Sequence, residues 1–348
     1  GSSAWAQAAA ALGCGSARAP EFVEALGNDP MAEAAVDDGH FWIEWEDVLR
    51  NFSHLYLSWR PPALGPAARL QLHGRWDPRP HFSKSPLADD THLTAFNPQF
   101  LLRLDEPLPA SRDACVWILL SRHVRDRAEI ATKYVAAHVY SGASRLCCPD
   151  APLEQGVYSN GECALVKLHG DAAKGQREFV VVISQHAHKE PFNFTLQAYL
   201  PVPGTCAPLP PLAPDGFSSG AVDGRWTKES AGGCTNNLWS YFRNPQFRVE
   251  VPEGGVETMT LFLESPAEHS VNLRLFGGGV AKPEALRGVK SSGAYRQGCC
   301  MLRLDNVAQG AYVAVASTFR AGVCGDFRLA WHASGPLRAR PQPHAFAF

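Results

Sequence analysis

The sequence predicts a mainly β fold: two antiparallel β-sandwiches in tandem, preceded by a short helical N-terminal segment. Three observations predict it. Short runs rich in Val, Ile, Leu and aromatic residues recur between Gly, Pro, Asn and Asp clusters. Four short motifs appear twice, in the same order. A stretch rich in Pro, Gly and Ser, 201–221, separates the two series and has a linker's composition.

The N-terminal element comes first. In Phe41–Phe52 the residues Trp45, Val48, Leu49 and Phe52 fall at i, i+3, i+4 and i+7, the apolar stripe of an amphipathic helix. Glu44, Glu46 and Asp47 lie where the helix dipole favours negative charge. Leu55–Trp59 alternates as a strand does, and Pro61-Pro62 ends it. This lead-in is expected to pack on the first sandwich.

The first strand series includes Ala114–Leu120, Tyr134–Tyr140, Phe179–Ile183 and Phe192–Leu200. The second includes Phe247–Val251, Thr258–Leu263, Val271–Phe276, Cys300–Leu304, Tyr312–Ala316 and Phe327–Trp331. Gly74-Arg75-Trp76 returns as Gly224-Arg225-Trp226, and Asn97-Pro98-Gln99-Phe100 as Asn244-Pro245-Gln246-Phe247. Cys163–Leu168 is echoed by Cys299–Leu304, and Phe194–Tyr199 by Phe327–His332. The offset shrinks from 150 through 147 and 136 to 133, as shorter loops in the second copy require. The predicted organisation is a helical lead-in over 1–60, a sandwich over 61–202, a Pro-rich linker over 203–221, a sandwich over 222–336 and a tail over 337–348.

Composition narrows the function. The chain has 348 residues, 45% of them hydrophobic and 19% charged, which suits folded cores rather than disorder. A formal net charge of −2 removes the electrostatic footprint of a nucleic-acid binder, and no polybasic run points to a membrane. The ten cysteines form no Cys-x-x-Cys spacing, and two pairs are adjacent, Cys147-Cys148 and Cys299-Cys300. That pattern predicts buried thiols with neither a metal nor disulfides. No cofactor is expected.

The stretch Gly224–Cys234, then Asn236, then Asn244–Phe247, resembles the opening of the calpain-type β-sandwich domain. Asp38–Ile43 with its helix resembles the end of a calpain protease core. Tyr56–Trp59, Val116–His123, Ser291–Arg296 and Ser317–Phe319 are similar to the calpain-7 branch, which includes PalB-like proteases and carries two such sandwiches in a row. The resemblance covers about residues 38–334. It implies a non-catalytic regulatory and targeting region of a cytoplasmic, endosome-associated cysteine endopeptidase. Such a region braces the protease core of the same polypeptide and presents surfaces to partners. In this branch, N-terminal modules lying outside this chain bind the ESCRT-III machinery.

Chemically, a papain-type protease needs a Cys nucleophile, a His to move the proton and an Asn to orient it. The family sets these in Cys-Trp, Gly-His-Ala and Asn-Pro-Trp-Gly contexts. None of the ten Cys here precedes Trp, Gln185-His186-Ala187 lacks the Gly, and both Asn-Pro pairs continue into Gln-Phe. No catalytic residue is therefore assigned. A basic turn, Arg122, His123, Arg125 and Arg127, is the candidate anion-binding patch for an acidic partner or a lipid headgroup. Calcium needs about 6–8 oxygen ligands from converging loops. Asp89-Asp90 and Asp105-Glu106 are too dispersed to supply them, in contrast to the dense acidic loop of conventional calpain sandwiches. The alternative function is phospholipid binding, with or without calcium; a third is peptide capture on an exposed sheet edge.

Overall fold

The computed structural model describes residues 43–53, 67–78, 93–124, 133–186, 190–279, 281–283, 286 and 289–343. The chain divides into two compact units, Gly1–Arg60 and Pro61–Phe348. In the first, helix α1 spans Trp45–Asn51, with Glu46 and Asp47 in its first turn. Arg50 Nη1 donates to Asp47 Oδ1 at 3.0 Å. Of its apolar stripe, Trp45, Leu49 and Phe52 are each more than half exposed. The strand predicted at Leu55–Trp59 lies outside the described residues.

The second unit holds two sandwiches. The first is built from β1 (Ala68–Trp76), β2 (Gln99–Leu104), β3 (Cys115–Arg122), β4 (Val135–Ser141), β5 (Cys163–His169), β6 (Glu178–Gln185), β7 (Phe192–Leu200) and β8 (Gly204–Pro208). The second is built from β9 (Ser218–Trp226), β10 (Gln246–Val251), β11 (Val256–Glu264), β12 (Ser270–Phe276), β13 (Lys290–Ser291), β14 (Arg296–Gln297), β15 (Cys299–Val307), β16 (Gly310–Thr318), β17 (Gly325–Ala333) and β18 (Arg338–Gln342). Two one-turn helices, α2 (Gly170–Ala173) and α3 (Leu238–Tyr241), sit in connections.

The duplication read in the sequence is a duplication of topology. Sheet I runs β1-β7-β3-β5, and sheet III repeats it as β9-β17-β11-β15. Sheet II runs β4-β6-β2-β8, and sheet IV repeats it as β12-β16-β10-β18, with β13 and β14 added beside β12. Every pairing between named strands is antiparallel. The stretch predicted as linker contributes β8 to sheet II and the start of β9 to sheet III; residues 338–342, predicted as tail, form β18 of sheet IV. Both β8 and β18 are polar edge strands with a proline, Pro208 and Pro341, where a missing N–H breaks no interior ladder.

Each sandwich closes over its own core. Trp76, Phe100, Ile118, Val181 and Phe194 lie in the first; Trp226, Phe247, Leu261, Leu273 and Phe327 lie in the second. The repeated motifs are framework. Trp76 and Trp226 end the first strand of each copy and are fully buried. Gly74 pairs across from Phe194 and Gly224 across from Phe327, and a Cβ at either glycine would enter that ring. The Asn and Gln of Asn-Pro-Gln-Phe are buried amides that hold loops. Asn244 accepts from Gly232 N at 3.2 Å and donates to the carbonyls of Gly233 at 2.8 Å and Tyr241 at 2.7 Å. Gly233 takes φ +75°, open to glycine, so the Gly-Gly turn and Asn244 fit each other.

Replacing Asn244 by Ala leaves those buried groups unsatisfied. The expected cost is about 2–4 kcal/mol, read as a lower urea midpoint with an unchanged slope. An unchanged midpoint would show that Asn244 holds nothing.

Candidate functional site

Of the four residues predicted as an anion patch, Arg122 and His123 are among the described residues. Arg122 is on the buried face of β3, in step with Val116, Ile118 and Leu120. It is 5% exposed, and its guanidinium donates to the carbonyls of Lys133 at 2.7 Å and Asn160 at 2.9 Å. His123 is exposed and bonds Thr195 Oγ1 through Nε2 at 2.8 Å; His73 Nδ1 reaches the same hydroxyl at 3.0 Å. Arg125 and Arg127 lie outside the described residues, as do Asp89 and Asp90. Among the described residues no group of three or more His, Cys, Asp or Glu side chains is placed to hold a metal ion.

One Cys–His pair came from the structure alone. Cys115 Sγ lies 3.3 Å from His169 Nδ1, across sheet I. That nitrogen also contacts the Arg112 carbonyl at 2.9 Å, and a carbonyl only accepts, so Nδ1 carries the proton and cannot take one from Cys115. The thiol itself contacts the same carbonyl at 3.1 Å. Burial raises the Cys115 pKa, which favours thiol over thiolate. The pair is a polar staple, without the activated nucleophile that covalent catalysis requires. A shallow surface groove of about 670 Å³ at the end of sheet II is lined by Arg103, Asp105, Arg177 and Glu178 among others. Three of its charged groups are engaged: Arg103 pairs with Glu178 at 2.6 Å, and Arg177 donates to the Asp105 backbone carbonyl.

The most built feature outside the cores is the joint between the sandwiches. Phe262 and Cys299 on the outer face of sheet III are buried with Leu93, Ala95 and Leu212 of the preceding copy and connector. Phe96, Cys147, Cys148, Met301 and Ala330 pack around them. The Phe96 ring centre is 5.2 Å from Phe262 and 5.6 Å from His332. At the rim, Arg296 donates to the Pro149 carbonyl at 2.8 Å and to Asp150 Oδ1 at 3.1 Å.

Three segments must be held together to make that surface, and Arg145 holds them. From the loop after β4 its guanidinium donates to the carbonyls of Ala95 at 3.0 Å, Asn97 at 2.9 Å, Leu209 at 3.0 Å and Pro210. Gln99 of the first Asn-Pro-Gln-Phe adds to the same knot. Its amide donates to the carbonyls of Thr94 and Leu146, each at 2.7 Å, and accepts from Leu146 N at 2.8 Å. No pattern in the sequence marks Arg145.

Burial governs titration at the joint and in the core beneath it. It pushes the Cys147 thiol of the joint up to about 11 and the Cys300 thiol of the second core up to about 12, and it lowers the pKa of His332. Cys163 and Cys324 are exposed. Among the described cysteines, alkylation of the folded chain at pH 8 is expected to label those two first and to spare Cys147 and Cys300. Peptide mass mapping that finds Cys300 labelled earliest would contradict the burial. For His332, the unfolded chain binds its proton near the ordinary value of 6.5 and the folded chain only lower. Its contribution is therefore complete above that value and is lost as pH falls from it through the lower pKa of the folded chain. A His332→Gln variant should lose that portion of the acid destabilisation, measured by thermal melts across the range.

Comparisons with known proteins give the following likenesses. The family model described as calpain large subunit, domain III, matches residues 222–270. The chain is 29% identical over 326 residues to calpain-7 of Sus scrofa, covering 92% of this chain and 38% of that protein. It is 28% identical over 304 residues to the calpain-like protease palB of Emericella nidulans, covering 84% and 33%. The chain thus spans well under half the length of the curated relatives it matches. A solved protein of Pseudomonas aeruginosa aligns at 9% identity with a TM-score of 0.20, covering 75% of this chain and 99% of that one.

Proposed function

We propose that this chain, which is similar to the calpain-7/PalB-like branch of the calpain family, is the regulatory and targeting region of a longer cysteine endopeptidase, acting as a single rigid brace for the protease core. The observation that carries this reading is the joint. The sandwiches share a buried apolar cluster with aromatic contacts, and Arg145 knits the loops that form it. Modules on a flexible tether would bind partners independently. Modules joined over a dry contact transmit force and hold a fixed spacing, which suits positioning a catalytic core and shaping access to it. The Cys-Trp, Gly-His-Ala and Asn-Pro-Trp-Gly elements are missing from this sequence, so catalysis belongs to the rest of the longer protein.

Localisation and partners extend the same reading. No described helix is long and apolar enough to cross a membrane. The proposed setting is the cytoplasmic side of endosomes, reached through ESCRT-III-type proteins that bind modules outside this chain.

Calorimetry of the intact chain tests the brace. A single cooperative transition for the two sandwiches is expected. Phe96→Ala, in the joint but outside either core, should lower stability by about 1–2 kcal/mol and begin to separate the transitions. Two resolved transitions in the unaltered chain would overturn the rigid brace. Separately, the chain alone is expected to show no turnover of casein; turnover abolished by replacing one cysteine would overturn the non-catalytic assignment.

A further inference from the structure

Two stretches singled out in the sequence, Ser291–Arg296 and Ser317–Phe319, meet on the outer face of sheet IV. Ser292 clips the first to β12: its N donates to the Leu273 carbonyl at 2.9 Å, and its Oγ accepts from Leu273 N at 3.0 Å. The hydroxyls of Tyr295 and Ser317 are 2.8 Å apart. Strand β12 sends Val271, Leu273 and Leu275 into the core, which leaves Asn272 and Arg274 on the outer face. There α3 adds Tyr241, packed with Val313 and Val315.

The polar groups gathered here lack both a counter-charge and partners. Arg274 is half-buried, and its Nη2 donates to Thr235 Oγ1 at 3.3 Å. Its guanidinium carbon lies 5.9 Å from the centre of the Tyr241 ring, and its Nε is buried without a partner. Strand β12 and the segments 231–243, 290–298 and 313–323, which supply these groups, contain no Asp or Glu. Asn272 and Tyr241 are fully buried. Asn272 Nδ2 donates to the Gly293 carbonyl at 2.8 Å, while its Oδ1 accepts nothing. The Tyr241 hydroxyl, near Ser317 and Tyr295, makes no hydrogen bond of normal geometry. Buried polar atoms are as a rule paired, and three unpaired ones in one place mark room for a partner from outside.

The first copy shows the same position closed. Gln99 and Gln246 of the repeated motif stand across from Val182 and Val315, which in turn stand across from His138 and Arg274. Arg274 therefore holds the place of His138, and Ser317 that of Ser184; the neighbouring bridges match Tyr295 to Tyr158. His138 is fully buried, with its ring centre 5.5 Å from that of Tyr158. The second copy keeps the tyrosine and the serine and sets a half-exposed cation where the first sets a buried ring.

We propose that Arg274, Thr235 and Tyr295 bind a phosphate group, free or on a small monoester, beside the buried Asn272 and Tyr241. The guanidinium supplies charge and a planar fork of donors, and the two hydroxyls add donors from other directions, which suits a tetrahedral oxyanion. Asn272 Oδ1 is an acceptor and calls for a proton on the ligand. A phosphate group, with a second pKa of about 6, carries one part of the time at neutral pH; sulfate does not. This inference goes beyond the brace and does not depend on it.

Titration calorimetry of the whole chain at neutral pH tests the site, with inorganic phosphate, glycerol phosphate and sulfate as probes. Saturable binding of phosphate is expected, with sulfate much weaker and the melting temperature rising with phosphate concentration. Binding of inorganic phosphate alone assigns the site to the free ion, and binding of glycerol phosphate as well opens it to monoesters; either result supports the proposal. Arg274→Gln should weaken phosphate binding about tenfold or more. Should that variant fold poorly, Thr235→Val, at a half-buried loop position, removes one donor and should also weaken it. No binding of phosphate, equal affinity for sulfate, or affinity unchanged in the variants would each overturn the proposal. Binding to phosphoinositide vesicles without any response to the free probes would overturn it in favour of a membrane surface.

Discussion

The guanidinium of Arg145 is the interaction on which the arrangement of the second unit depends. Its donors reach four backbone carbonyls on two stretches more than a hundred residues apart, at Ala95, Asn97, Leu209 and Pro210. Loops have no ladder to order them, and a buried carbonyl needs a donor. One planar group with five N–H bonds meets that need for the lead-in to β2 and for the connector at once. A lysine could not, since an ammonium offers three donors from one point. With the loops fixed, Phe96, Cys147 and Leu212 face the same way, and Phe262 has a surface to be buried against. Burial lowers the Arg145 pKa, while its guanidinium hydrogen-bonds backbone carbonyls.

The two copies keep the same strand order but have diverged in what their outer faces do. Sheet III is covered and correspondingly apolar at Phe262, Met301 and Ala330. At the same register, sheet I mixes Leu119 and Leu165 with Gln197. At its margins sheet III balances its charges internally, as in Arg328 with Asp223 at 2.8 Å and Arg225 with Asp326 at 3.1 Å. Sheet I instead lays its cations over aromatic rings. The conserved parts of the duplication are those that hold the fold: a glycine under a phenylalanine, a closing tryptophan, and the Asn and Gln amides.

How much could be read without coordinates follows from these same residues. Strands buried on at least one face announced themselves, because Val116 to Leu120 or Val271 to Phe276 carry the β pattern in their own side chains. Asn-Pro-Gln-Phe was legible as a repeat, but its reach into distant loops was not, since hydrogen bonds to carbonyls leave no trace in residue type. Strands β8 and β18 looked like linker and tail because edge strands with one proline each need little apolar matter. The burial of Arg122 was readable beforehand: two residues past Leu120, it falls on the buried face of the same strand. The joint itself is formed by loop residues without periodicity, so no local pattern foretells Leu93 meeting Phe262.

The late position of β8 and β18 in each copy has a consequence for a chain that emerges from its N-terminal end. Strand β8 follows β7 after only three residues, so sheet II is complete before any strand of sheets III and IV is made. The Arg145 knot, which needs Leu209 and Pro210, becomes available at that same moment, and β11 then forms against a finished surface. The last sheet has no such protection. Until Arg338–Gln342 arrives, β10 presents the unpaired row from Gln246 to Glu250 as an open edge. A chain stopped short of residue 338 would keep both cores and yet carry an edge that invites pairing with other strands.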